Sequence, residues 1–461
     1  MTNTVNDTIA AIATPPGIGG ISVIRISGPN AWPAAMSLFK PDSDDVSLKS
    51  HRVCHGWIMN GEEPIDEVLL TRFEAPHSYT GEDVVEISGH GSPFLSHCIL
   101  NLILSKNTRA AEPGEFTQRA FLNGKLDLSQ AEAVADLIQA KTESARRVAA
   151  YQLEGRLSEQ VKMIRDRLIQ SCSLLELELD FGEEEVEFTS RRHLKSELSL
   201  IQQSLNKLLS SFERGKVCRE GIRLVIAGRP NVGKSSLLNR MIEKERAIVT
   251  DIPGTTRDTI EEMLDIEGIL FVITDTAGLR EKSGRVEQEG IRRTYAALNS
   301  ADLILWVVDA SQPLQSEDKH LLKTIRKNKV PCICTVNKID LKSDPDMTYM
   351  KQVFPDKNII KISARTGQGM NVLIESLKGT ALSGDIPHEG ETLITRARHA
   401  EAVHSALDNL QKAEKSLHNH MSQEFIAMDI RGALDALGHI TGQTTTDDIL
   451  NRIFSEFCIG K

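Results

Sequence analysis

Apolar positions change their spacing along the chain, and the spacing marks where strands give way to helices. Over roughly the first 120 residues they fall in short runs. Residues 7–13 and 21–26 read as strands. The breaker cluster Thr14-Pro15-Pro16-Gly17-Ile18-Gly19-Gly20 between them reads as a hairpin-like connection. No helical pattern follows those glycines, which argues against a dinucleotide fingerprint. Residues 67–73 and 84–88 give two more strands, and a helix is expected over 92–104. From about Ala120 the period becomes 3.6. Ser129-Gln130-Ala131-Glu132 predicts a capping box that opens a long helix. Val161, Ile164, Leu168, Leu175 and Leu179 share one face of the next helix. Leu194, Leu198, Ile201, Leu205, Leu208 and Phe212 step by four and three along another. The acidic break at 181–188 reads as a solvated loop in preference to a metal site.

Near residue 221 the pattern turns back to buried strands, each ending in a polar loop: 222–227, 269–274, 331–336 and 359–362. Helical periodicity resumes after a linker at 383–390, over about 396–419, 422–437 and 446–454. Helices on both sides of an inserted α/β segment suggest one bundle interrupted by it. The insertion ends must then lie close together, so that movement in the insert can pull on the bundle.

Composition narrows the class. The 461 residues allow two to four domains, and 40% apolar with 26% charged residues is ordinary for a globular protein. No apolar run approaches the roughly 18–20 residues of a membrane span. Residues 1–7 lack the basic and apolar regions of a signal peptide, and seven cysteines without scaffold-like spacing fit a reducing compartment. A cytoplasmic location is expected. Cys332 and Cys334 alternate along a predicted strand and read as core thiols. The net charge of −10 argues against broad basic patches for nucleic acid, and leaves room for a partner that supplies part of an RNA grip.

The polar loops carry the chemistry. Gly228-Arg229-Pro230-Asn231-Val232-Gly233-Lys234-Ser235 fits G-x-x-x-x-G-K-[ST] between a strand and a helix that starts at Ser236. Its backbone N–H groups can close around phosphate oxygens, with Lys234 reaching the β- and γ-phosphates and Ser235 binding Mg²⁺. The second strand ends in Asp275-Thr276-Ala277-Gly278, where the Asp can hold Mg²⁺ through water and the Gly N–H can sense a γ-phosphate. The third leads into Asn337-Lys338-Ile339-Asp340. The Asp340 carboxylate can accept from guanine N1–H and the 2-amino group, a pair that adenine lacks. The fourth ends at Ser363-Ala364-Arg365, placed to close over the base. A GTP-binding domain is expected over 221–382. Many small GTPases orient water with a Gln after the Asp-x-x-Gly, but Leu279 stands there. Charge on the β–γ bridge must still be countered, and a second cation is one solution. Asn231 could ligate a monovalent ion through its side-chain carbonyl. The loop Thr250-Asp251-Ile252-Pro253-Gly254-Thr255-Thr256-Arg257-Asp258 is rich in oxygens, with Thr256 the natural second Mg²⁺ ligand.

Asn231, the Gly-Thr-Thr-Arg-Asp run at 254–258 and the Asp-Thr-Ala-Gly-Leu-Arg run at 275–280 resemble the tRNA-modifying GTPase family MnmE, also called TrmE. That resemblance implies hydrolysis activated by K⁺ when two G domains meet, with Asn231, Thr250, Ile252 and Thr255 as ligands. It also implies Glu287 as the acid that orients water through a bridging water. By spacing alone Glu287 reads as part of a solvated helix face. Tyr79-Thr80-Gly81-Glu82-Asp83 resembles the family's N-terminal domain, itself similar to folate-dependent aminomethyltransferase domains. Carried over, Arg25, Glu82 and Lys125 contact a tetrahydrofolate one-carbon donor, 5,10-methylene- or 5-formyltetrahydrofolate. The residues alone read Arg25 as the exposed face of an edge strand and Glu82 as a helix or strand cap. The ending Phe457-Cys458-Ile459-Gly460-Lys461 is similar to the family's C-terminus, which approaches the folate site. Cys458 and Lys461 are assigned there, Cys458 as a nucleophile or a buried thiol.

The expected fold is therefore a multidomain α/β and α+β chain. A folate-binding, homodimerising α+β domain spans 1–120, a helical domain spans 121–220 and 383–461, and a P-loop, Ras-like G domain is inserted between its halves. The implied activity is modification of C5 of the wobble uridine, position 34, in certain tRNAs. The implied partner is the flavin-bearing MnmG, in a heterotetramer or larger. A ribosome-assembly GTPase is the alternative. It predicts a basic RNA-binding appendage, and no Gly-x-x-Gly loop in a basic helix–helix setting is present.

Overall fold

The computed structural model describes residues 7–42, 49–180, 191–244, 246–247, 261–275, 297–328, 330–341, 348–355, 358–382, 390–455 and 457–460. Thr250, Asp251, Ile252, Pro253, Gly254, Thr255, Thr256, Thr276, Ala277, Gly278, Leu279, Glu287 and Lys461 lie outside the described residues, as does the side chain of Asp275. The chain divides into two compact units. The first holds residues 1–135, 152–190 and 408–461, and the second holds 136–151 and 191–407.

The first unit is built on seven strands in the order β3-β4-β5-β6-β2-β1-β7. They are β1 Ile9–Ile12, β2 Ile21–Ser27, β3 Phe39–Pro41, β4 Val53–Asn60, β5 Glu63–Phe73, β6 Val84–His90 and β7 Arg109–Ala110. The expected hairpin is present, with Ile9 opposite Ser27 and Ile12 opposite Ile24. Because β2 lies between β1 and β6, Arg25 is on an interior strand, which corrects the edge-strand alternative. One sheet face is sealed by the helices Ala31–Met36 and Pro93–Leu104. Its core is Ile24, Ile26, Ile58, Leu70, Val85, Ile87, Ile99 and Ile103. β3 and β4 go beyond the strands that the apolar pattern marks: β4 alternates buried and exposed positions, but with His55 and Gly56 interrupting the apolar series.

Helical periodicity is realised in the same unit. Val161, Ile164, Leu168 and Leu175 of the helix Arg156–Asp180 are buried, as are Ile426, Ile430, Ala433 and Leu437 of Gln423–Thr441. These two helices pack together, and Arg165 donates to the Leu434 carbonyl at 2.7 Å. The helix expected to open at Ser129 instead runs Leu128–Gln139. Its cap is Asp127, whose carboxylate accepts from Gln130 N at 2.9 Å while Gln130 Oε1 accepts from Asp127 N at 3.0 Å. The Ser129 hydroxyl is itself turned to Asp127, donating to its Oδ1 at 2.9 Å, and Glu132 is buried.

The second unit carries a seven-stranded sheet in the order β14-β13-β12-β8-β11-β10-β9. Its strands are β8 Ile222–Ala227, β9 Arg246–Ala247, β10 Glu261–Ile266, β11 Ile269–Asp275, β12 Leu303–Asp309, β13 Cys332–Asn337 and β14 Ile359–Lys361. Strands β14 through β11 pair in parallel, while β10 and β9 run antiparallel at one side. β12 adds to the strands expected from the apolar pattern, and every residue in it is buried. An unbroken Leu-Ile-Leu-Trp-Val-Val run suits a parallel strand covered on both faces. Helices Lys234–Lys244 and Met370–Leu382 pack on one face, and Ser316–Lys327 and Thr348–Val353 on the other. Cys334 is buried in that second core, as expected of a core thiol.

Candidate functional site

A doubly wound sheet binds ligands beyond the carboxyl ends of its strands. Four of the motif segments begin there: residue 228 after β8, Asp275 closing β11, Asn337 closing β13 and Ser363 shortly after β14. The parallel register aligns those ends, with Asp275 beside Ile226 and Asp309 beside Asn337.

The loop after β8 turns on two left-handed residues, Asn231 at φ 62° and Gly233 at φ 98°. Gly233 is required for a second reason: a Cβ there would stand 2.3 Å from Asn337 Nδ2. Asn337 reaches into the loop, donating to the Val232 carbonyl at 2.9 Å and accepting from Ala364 N at 3.0 Å. It thus ties the phosphate loop to the base loop while itself buried. Lys338, also left-handed, donates to the Asn231 carbonyl and to Asp309 Oδ2, each at 2.7 Å. Lys234 opens the helix Lys234–Lys244 and is nearly buried. Its ammonium donates to the Gly228 and Arg229 carbonyls at 2.8 Å, which holds it at the mouth of the loop. Ser235 and Ser236 follow in the first helical turn, where backbone N–H groups and helix dipole favour an anion.

Asp340 Oδ1 accepts from Ser363 Oγ at 2.7 Å, which brings the Asn-Lys-x-Asp segment and the loop 363–365 together. Arg240 of the first helix donates to the Ala364 and Arg365 carbonyls at 3.0 and 2.7 Å. Ile339 N bonds the Ile362 carbonyl at 3.3 Å. Three supporting residues escape motif reading: Arg240, Asp309 and Asp318. Asp318 is buried, and its Oδ2 accepts from Arg229 Nε at 2.7 Å, so it anchors the phosphate loop to the start of the helix Ser316–Lys327. No local signal in the sequence marks it, since its partner lies 89 residues away.

In the first unit, Arg25, Glu82 and Lys125 gather around the loop 76–82. Arg25 pairs with Glu86 at 2.8 Å and lies over the Tyr79 and Phe116 rings, at 5.1 and 5.7 Å. Lys125 donates to the Pro76 carbonyl at 3.0 Å. Glu82 is no cap, which corrects that alternative. Its carboxylate accepts from Arg119 at 3.1 and 3.2 Å and from Ser27 Oγ at 2.7 Å. Arg119 also meets Asp7 and Glu115, at 2.6 and 3.0 Å. Burial opposes the Arg119 charge, but Glu82, Glu115 and Asp7 outweigh it and raise its pKa. Burial likewise pushes the Glu115 carboxyl up, yet Arg109, the Glu112 N–H and Arg119 bring it below its usual value. The C-terminal run comes to the same place. Arg25 donates to the Gly460 carbonyl at 3.4 Å, and Gly114 N to that of Cys458 at 3.4 Å, with Cys458 exposed. Gly114, at φ 70°, allows this approach: a Cβ there would stand 2.4 Å from the Phe454 carbonyl.

A mainly parallel sheet with a glycine–lysine loop, an Asn-Lys-x-Asp segment and helices on both faces defines a P-loop GTPase, an enzyme that binds and hydrolyses GTP. Residues 8–125 match the model of the GTP-binding protein TrmE N-terminus, and 128–458 match that of the MnmE helical domain. The tRNA modification GTPase MnmE of Natranaerobius thermophilus is 43% identical over 457 residues, 99% of each chain. That of Clostridioides difficile is 43% identical over 459 residues, 99% of this chain and 100% of the relative. A crystal structure of the G domain of the T. maritima FeoB iron transporter aligns at 26% identity over 35% of this chain and 98% of its own, with a TM-score of 0.27. The chain belongs to the MnmE family.

Proposed function

We propose that this chain is a potassium-activated, tRNA-modifying GTPase. With a flavin-dependent MnmG partner and a tetrahydrofolate one-carbon donor, it adds an aminomethyl or carboxymethylaminomethyl group at C5 of wobble uridine 34. The observation that carries the reading is the convergence of the phosphate, metal-edge and guanine segments at the carboxyl edge of one sheet, with Asn231 in the phosphate loop. Relatives of matching length bear the name tRNA modification GTPase.

In this reading the loop 228–233 and Lys234 hold the β- and γ-phosphates of GTP. Ser235, Thr256 and Asp275 serve Mg²⁺, Gly278 senses the γ-phosphate, and Asn337, Lys338, Asp340 and the loop 363–365 hold guanine. Asn231, which is exposed, offers an amide oxygen. With carbonyl and hydroxyl oxygens from Thr250, Ile252 and Thr255 it makes a donor set suited to a hard alkali cation. Bound there, K⁺ supplies positive charge at the β–γ bridge, replacing a Gln or an arginine finger. Glu287 orients the attacking water. Hydrolysis drives conformational change, while the carbon chemistry belongs to the first unit. There Arg25, Glu82, Lys125 and Lys461 bind the folate, and Cys458 acts on the substrate side.

We assign residues 1–120 to the folate and dimerisation domain, 121–220 and 383–461 to the helical domain, and 221–382 to the G domain. Homodimerisation has a surface to draw on. Val53, Trp57 and Leu69 are exposed by 62%, 37% and 45% on one face of β4 and β5. Among the described residues no helix is long and apolar enough to cross a membrane.

Mass spectrometry of wobble nucleosides from cells lacking the gene tests the function. Loss of C5-modified uridine is expected, and unchanged modification would favour a ribosome-assembly GTPase. The same measurement on Cys458→Ser should show unmodified uridine alongside intact GTP hydrolysis.

A further inference from the structure

Asp309 closes β12 and lies outside every nucleotide motif, yet both oxygens of its carboxylate are engaged at the site. Its Oδ1 accepts from Ser311 N at 2.8 Å and from Ser311 Oγ at 2.6 Å. Its Oδ2 accepts from Lys338 Nζ at 2.7 Å, and its side chain is only 4% exposed. Lys338 spends a second N–H on the Asn231 carbonyl, also at 2.7 Å. A single ammonium therefore joins the end of β12, the guanine segment and the phosphate loop. Both residues that flank this ammonium's reach are strained: Lys338 at φ 69° and Asn231 at φ 62° are left-handed without being glycine. Such conformations persist where neighbours over-determine them.

We propose that Asp309 is a positioning residue for GTP. Through Lys338 it holds the Asn231 carbonyl and the left-handed turn of the phosphate loop, so this bridge, beside the tie that Asn337 makes to Val232, couples the base site to the phosphate site. Burial raises the Asp309 carboxyl, but Lys338 and the two Ser311 donors outweigh it and keep it below the usual carboxylate range. It is therefore a carboxylate at neutral pH and a charged partner for the ammonium. Asp309→Asn keeps the shape and removes the charge. Lys338 then loses its charged partner, and its bond to the Asn231 carbonyl is held less firmly.

The test is release of a fluorescent methylanthraniloyl-GDP from the full-length protein. Asp309→Asn should release it roughly 10- to 100-fold faster, the range for a lost charge-assisted bond. KM for GTP should rise while kcat at saturating GTP stays within about threefold, the signature of lost uniform binding. A role confined to holding the fold together would lower the melting temperature and leave release and KM unmoved. Release within about twofold of the unaltered protein, in a variant with the same circular dichroism, overturns the proposal. Should Asp309→Asn not fold, Ser311→Ala carries the test: severalfold faster release supports the bridge and unchanged release overturns it. The proposal rests on the reading of this site as a GTP site. Failure of the unaltered protein to bind the GDP analogue would sink that reading, whereas normal binding with unchanged release in the variant sinks only the bridge.

Discussion

The site at the carboxyl edge of the second unit's sheet and the cluster around Glu82 in the first are built on opposite plans. The first is made mostly of backbone: carbonyls of Gly228, Arg229, Asn231 and Val232 take the side chains of Lys234, Lys338 and Asn337. The second is made of side-chain charge: Asp7, Glu82, Glu115, Arg109 and Arg119 interlock around a buried guanidinium. Backbone sites depend on short segments with defined turns. Charge clusters depend on partners brought from far apart, and they tolerate little trimming because a bereaved buried charge is costly.

That difference can be broken at either end. The largest effect is expected from Lys234→Ala, which takes the phosphate-binding ammonium from the loop and should cut GTP turnover by roughly 100- to 1,000-fold, with the melting temperature nearly unchanged. A large loss of stability instead would mean that the nucleotide site is structural in the way the charge cluster is. The reverse split is expected of Arg119→Met. It leaves Glu82, Glu115 and Asp7 without their buried partner and should cost about 3 kcal/mol of stability, with GTP turnover retained. The pH dependence sharpens this. Asp7 and Glu115 have folded pKa values below their usual 3.8 and 4.5. Their pairing therefore contributes stability that is fully present above about pH 5 and is lost as pH falls through those values. In Arg119→Met the acid limb of a melting-temperature curve should be shallower, and an unchanged limb would contradict the assignment of the cluster's stability to these pairs.

How much could be read in advance follows from the same contrast. The phosphate loop, Asn337, Lys338, Asp340 and Ser363 were legible because each motif is contiguous and fixes its own turn. The supports were not. Asp309 meets Lys338 across 29 residues, Arg119 meets Glu82 across 37, and Arg229 meets Asp318 across 89. No local pattern marks such pairs. The fold shows the same limit. Amphipathic helices such as Arg191–Ser210 announce themselves by period, with Leu194, Leu198, Ile201, Leu205 and Leu208 all buried. β12 has no period to show, being buried throughout, and Arg25 looks like an edge residue until β2 is seen between β1 and β6. The capping residue Asp127 sits two positions before Ser129, where local polarity alone does not choose between them.

In the proposed mechanism, oxygens of the protein hold an alkali ion beside the phosphates, where it takes the part that a Gln plays in other GTPases. GTP turnover in KCl against NaCl at equal ionic strength tests it most directly. Turnover at least about tenfold faster in KCl is expected, a difference of about 1.4 kcal/mol in barrier height, and equal rates in the two salts would rule out the proposed ion.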